Sequence, residues 1–162
     1  MLNSLSGVVR RTRQHHAVEH ATLHLLAARL PNRRFGGYSD PLGFTIVGEA
    51  TTEELQHAVG DALLRLQAGE RGLAIHPNCG TNLLAAGATV TAASMFGSAV
   101  VRGRLERFVL SLVLVLIALV AARPLGSRLQ AYTTLPDVED RVVTEIRTLQ
   151  TGRVAVFRVT FD

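Results

Sequence analysis

The chain has 162 residues, of which 17 are basic and 13 acidic, with a single cysteine and no tryptophan. That length suits one core with attachments, and 48% hydrophobic against 19% charged residues excludes a disordered polypeptide and leans toward a membrane. One cysteine, Cys79, excludes an intrachain disulfide, and the basic residues are all arginine, so lysine Schiff-base and P-loop chemistry are excluded too.

The sequence pI near 10.5 invites a nucleic-acid reading. The net charge is only +4, however, and the arginines cluster only at Arg10, Arg11, Arg13 and Arg33-Arg34. Without a basic stripe or a stacking platform, no nucleic-acid partner is expected.

The opening residues 1–9 are mildly apolar with the arginines after them, so they lack the order of a secretory signal and are expected to be retained. From Arg11 to Leu30, Ala17, Val18, Ala21, Leu25 and Ala28 recur at helical spacing until Pro31, and this predicted helix carries four of the six histidines. Phe35–Tyr38 and Phe44–Val47, separated by Ser39-Asp40-Pro41, read as two short strands. Thr51 or Thr52 can cap a second helix ending at Gly69, with Glu53 and Glu54 in its first turn. Leu73–Ile75 is expected as a brief strand leading into the turn formers His76-Pro77-Asn78-Cys79-Gly80.

Thr81–Val101 contains no charged residue, and as a helix it would match a hydrocarbon core of about 30 Å. Phe108–Ala122 is more apolar and shorter, bounded by Arg107 and Arg123, which would have to snorkel. The pair is expected as a transmembrane hairpin; a buried hairpin inside a soluble protein is the alternative. Asp137–Leu149 reads as a helix and Val154–Phe161 as a last strand.

The predicted architecture is therefore α+β: a small mixed sheet with two or three packed helices, and an inserted transmembrane hairpin. Residues 1–80 would form the N-terminal half of the α+β domain, 81–122 the hairpin, and 123–162 a helix and strand that complete the domain. The expected location is the cell membrane, crossed twice, with the soluble part in the cytoplasm. The bilayer is the first expected partner, a peptide or protein substrate the second, and self-association is compatible with the pattern.

The chemistry concentrates in His16-Ala17-Val18-Glu19-His20, an H-x-x-E-H arrangement on the first helix. Residues four apart share a helical face, so the two imidazoles can share a metal. In the inverted zincin motif, two histidines at this spacing bind zinc and the glutamate acts as general base toward metal-bound water. Further ligands have to come from elsewhere, and His76 and Cys79 are the candidates. His15 and His24 can contribute beside them, while His57 reads as polar surface. Zinc, or another divalent transition metal, is the expected cofactor and a metal-dependent hydrolase of metallopeptidase type the expected activity. The alternative is a non-enzymatic membrane protein whose structural metal or histidine cluster serves as a scaffold or interaction module.

Three blocks in order, residues 16–20, residues 76–81 (His-Pro-Asn-Cys-Gly-Thr) and residues 129–137 (Leu-Gln-Ala-Tyr-Thr-Thr-Leu-Pro-Asp), resemble the YqhQ-like family of membrane proteins of unknown function. The matching positions are His16, Glu19, His20, His76, Cys79, Gly80, Thr81, Gln130, Thr133, Thr134 and Asp137; Ala21 and Asn78 stand where that family has Lys and Arg. The resemblance implies a membrane-associated metal site and no particular reaction. Gln130, Thr133, Thr134 and Asp137 are candidates to orient ligand histidines, with Thr134 or Asp137 as a helix cap being the plainer reading. Tyr132 can present a phenol to an oxyanion.

Overall fold

The computed structural model describes residues 2–162, with side chains from residue 5 onward. Met1 and the side chains of residues 2–4, part of the opening expected to be retained, lie outside the described residues. The chain divides into two compact units, one comprising the residues up to His76 together with Thr133–Asp162, the other Pro77–Tyr132.

The first unit is built on helix α1, Leu2–Arg29, which starts well before the predicted Arg11. Two strands follow, β1 (Phe35–Asp40) and β2 (Gly43–Gly48), then helix α2 (Thr52–Gln67). Thr51 caps α2 through a reciprocal capping box with Glu54, the signal legible in the sequence. Two strands complete the unit, β3 (Val143–Gln150) and β4 (Ala155–Phe161). The sheet order is β1-β2-β4-β3, and every neighbouring pair is antiparallel. The α+β class is thus as expected, whereas the sheet is antiparallel throughout, not mixed.

Strand alternation sends Phe44 and Ile46 of β2 and Ala155, Phe157, Val159 and Phe161 of β4 into one core. Ala17, Val18, Ala21 and Leu26 of α1 and Leu55, Ala58, Val59 and Ala62 of α2 close that core. Gly43 is required at the start of β2, because a Cβ there would stand 2.0 Å from the carbonyl oxygen of Val159.

Two predicted elements are corrected. The expected helix Asp137–Leu149 is strand β3, so neither Thr134 nor Asp137 caps a helix there. The expected strand Leu73–Ile75 is a single 3₁₀ turn, Arg71–Ala74, followed by an extended Ile75.

The second unit consists of helices α3 (Gly80–Val100) and α4 (Arg104–Thr133). The latter runs through Arg123 and Pro124 and is far longer than the apolar core Phe108–Ala122 from which it was predicted. Their backbones approach at two glycines: a Cβ on Gly97 would meet Ser111 Cα at 2.7 Å, and one on Gly126 would meet Asn82 Cα at 2.9 Å. Both helices are long and apolar enough to cross a membrane, and only 11% of the most apolar stretch of each is buried. Leu83, Leu84, Phe96, Phe108, Ile117 and Val120 are exposed, unlike the residues of a soluble hairpin buried in a core.

Candidate metal centre

α1 is the axis of the site. Its His16 and His20 stand one turn apart with ring centroids 4.3 Å from each other, and a ring nitrogen of one lies within 4.8 Å of a ring nitrogen of the other. Two nitrogens on one tetrahedral zinc are about 3.4 Å apart, for bonds of about 2.0–2.1 Å, so a small ring rotation suffices. His76 joins them, with its ring centroid 5.7 Å from that of His20 and 4.7 Å from that of His24. Three histidines of α1 and the sequence-distant His76 therefore meet at one face of the helix.

The backbone sets the orientation of these rings. His20 Nδ1 is 2.7 Å from the carbonyl oxygen of Ala74, and His16 Nδ1 is 3.1 Å from that of Thr133. A carbonyl only accepts, so each Nδ1 donates its proton and each Nε2 carries the lone pair that a metal requires. His24 bonds the Ile75 carbonyl through Nε2 instead, at 2.7 Å. The segment misread as a strand thus spends two carbonyls on histidines, which explains why it joins no ladder.

Burial lowers the pKa of His76 to about 4, helped by repulsion from His24 and His20. The ring is neutral at physiological pH. His15 points away from this group: it is buried, stacked on Phe161 with centroids 4.7 Å apart, and its Nδ1 meets the Asp40 carbonyl oxygen at 2.9 Å. Burial lowers its pKa as well, the largest of several causes.

Glu19 is 3% exposed and accepts a short hydrogen bond from the Ser39 hydroxyl on β1. The space for its carboxylate comes from Gly37, where a Cβ would stand 2.8 Å from Glu19 Oε1. In the sequence Gly37 and Ser39 read only as turn formers, although a glycine facing the core in a strand is a signal of close approach.

The remaining candidates divide between the units. Thr133 contributes its carbonyl to His16, Thr134 its carbonyl to Arg13 at 3.2 Å, and Asp137 its carbonyl to Gln14 at 2.6 Å while its carboxylate pairs with Arg71 at 3.6 Å. The three carbonyl contacts are backbone contributions, beside the side-chain roles expected of these residues. In the second unit, Cys79 is buried at the N-cap of α3 and its Sγ accepts from the Thr81 amide at 3.4 Å. Gln130 is fully buried and donates to Asn82 Oδ1 at 2.8 Å, whereas Tyr132 is 76% exposed. His57 is exposed on α2, as expected.

A family model described as "Domain of unknown function (DUF6391)" matches residues 11–146, which takes in most of α1, both apolar helices and the start of β3. The chain belongs to the DUF6391 family. An uncharacterized protein of Picosynechococcus sp. (strain ATCC 27264 / PCC 7002 / PR-6) is 41% identical to this DUF6391 chain over 80 residues, 44% of this chain and 39% of that protein. The chain therefore spans about two fifths of the length of that relative. No solved structure matches this DUF6391 chain. The expected membership of an uncharacterised family stands in that form, and all the residues of the histidine cluster fall inside the matched range.

Proposed function

We propose that this DUF6391 protein is a membrane-anchored metal-binding protein that uses zinc, or a similar divalent metal, to activate water for hydrolysis. The observation that carries the reading is the pair His16 and His20, one turn apart on α1 and each donating Nδ1–H to a backbone carbonyl, the tautomer that puts the lone pair on Nε2. His76 would supply a third ligand. Cys79 stands three residues after His76, so its Cα stays within about 11 Å of that of His76, and it is the proposed fourth or exchangeable ligand.

His16, His20 and His76 would hold the metal, which would supply an activated water, and Glu19, fixed by Ser39, would serve as general base. The same metal would act as Lewis acid toward the carbonyl of a peptide or ester. The YqhQ-like order of blocks supports the metal site without adding a reaction. Two exposed apolar helices support the membrane location, and we propose a cytoplasmic first unit, on the reducing side where Cys79, just beyond it in sequence, would stay a thiol. The bonds from His20 and His24 to the Ala74 and Ile75 carbonyls favour a second reading, in which the cluster only ties α1 to the segment before the hairpin.

Metal content by mass spectrometry, beside turnover on peptides and esters, separates the two. Wild type should carry one metal per chain; His16→Ala should lose metal and turnover together. Glu19→Gln should keep the metal and lose about 10²- to 10⁴-fold in rate, the usual contribution of a general base. Metal-free wild type overturns the metal reading, and full activity in Glu19→Gln removes that residue from the mechanism.

A further inference from the structure

The second unit contains an open cavity of about 590 Å³ between α3 and α4, within the range of small-molecule sites. Its apolar lining, or floor, is formed by Leu83 and Ala86 of α3 and Leu119 and Ala122 of α4, and Cys79, Asn82, Arg123 and Ser127 line it as well. The hollow lies next to the close contact of Gly126 with Asn82, and the small side chains of Ala86 and Ala122 leave it open.

Charge fixes what can enter. Between residues 77 and 132 the only acidic residue is Glu106, at the first turn of α4, against five arginines. Glu106 is 17 positions from Arg123, about 25 Å along a helix. Among the described residues no carboxylate pairs with Arg123, which lines the cavity beside Ala122. An apolar slot with one cation and one hydroxyl in its lining is complementary to a chain with an anionic head.

We propose that this cavity binds a single-chain anionic amphiphile, with its acyl chain along Leu83, Ala86, Leu119 and Ala122 and its carboxylate or phosphate on Arg123 and Ser127. The proposed anion contacts, Arg123 and Ser127, are not among the proposed metal ligands, although Cys79 lines this cavity as well.

Native mass spectrometry of the full chain released from neutral maltoside micelles tests it, with sodium oleate, 1-oleoyl lysophosphatidate and oleyl alcohol as probes of equal chain length. Wild type should take up one oleate or one lysophosphatidate per chain, at least tenfold more tightly than the alcohol; which acid binds tells a carboxylate source from a phosphate source. Arg123→Gln, at an exposed position, should reduce the anions to the affinity of the alcohol, and Ala122→Phe should fill the floor and remove all three. Equal binding of alcohol and anions by wild type overturns the proposal, as does unchanged oleate uptake in Ala122→Phe or Arg123→Gln. Metal content measured on the same samples should not move, so a failure here is distinguishable from a failure of the metal reading.

Discussion

At the scale of single residues, the carboxylate of Glu19 depends on an absence of side chain opposite it. Gly37 leaves the room and Ser39 supplies the donor, both on the face of β1 that meets α1. A methyl at position 37 would stand 2.8 Å from both Glu19 Oε1 and the Thr45 carbonyl oxygen; the side chain can turn away, the strand backbone cannot. Gly37→Ala should therefore displace Glu19 and strain β1, at a cost of about 1–3 kcal/mol for overpacking. Ser39→Ala leaves the room intact and removes only the donor. Thermal unfolding and metal content of the two variants check this: Gly37→Ala should lower the melting temperature markedly, Ser39→Ala little, and both should retain metal if Glu19 is not a ligand. Loss of metal from Ser39→Ala would place Glu19 in the coordination sphere.

At the scale of elements, the sheet is tied across its strands by one ion pair. Arg158 of β4 reaches over β2 to Asp40 at the end of β1, with Nη1 2.7 Å from Oδ2 and Nη2 2.8 Å from Oδ1. This fork and the amides of Leu42 and Gly43 hold the Asp40 carboxyl below its ordinary pKa, against some desolvation. The folded pKa is depressed, so the stabilisation is complete above the unfolded value of about 3.9 and is lost as pH falls through the lower folded value. Arg158→Gln should cost about 1 kcal/mol at neutral pH, the modest end because Asp40 is partly exposed, and this difference should shrink below about pH 4. Thermal unfolding of detergent-solubilised full-length chains from pH 7 to pH 3 measures it; a constant difference over that range would remove the pair from the account.

The strand that completes this sheet also shows why part of the fold was hidden. Residues 155–161 alternate cleanly in burial and were legible, whereas β3 shifts register between Val143 and Glu145 and again between Thr148 and Gln150. Each irregularity breaks the two-residue period, and Val138, Val142, Ile146 and Leu149 then fall at helical spacing. Pairing with β4 decides the conformation, and it is invisible in the local pattern. The histidine pair was legible because it lies within one helix. The carbonyls of Ala74, Ile75 and Thr133 that orient the rings were not, because a backbone group leaves no mark on residue type.

At the scale of the whole molecule, the order of elements constrains topology more than charge does. Arginines flank both apolar helices, at Arg102, Arg104 and Arg107 on one end and Arg123 and Arg128 on the other, so the positive-inside rule favours neither orientation. The hairpin is inserted within the first unit, which leaves at His76 and resumes at Thr133. A chain that crosses twice returns to the side it left. Every residue of the first unit should then lie on one side of the membrane, and the turn at Gly103 on the other.

Cys79 is the only native cysteine, so single probes can be placed in a Cys79→Ser background at Gly103 and at Glu53, both exposed. Labelling of intact cells with a membrane-impermeant maleimide should reach one of the two positions and leave the other until the membrane is opened, and the protein should stay in the pellet after a carbonate wash. With the first unit in the cytoplasm, the Gly103→Cys probe is the one labelled from outside. The reverse pattern keeps the spanning hairpin and inverts its orientation. Equal labelling of both probes, or release by carbonate, means that α3 and α4 do not cross the bilayer, and their exposed apolar surface must then be covered by protein.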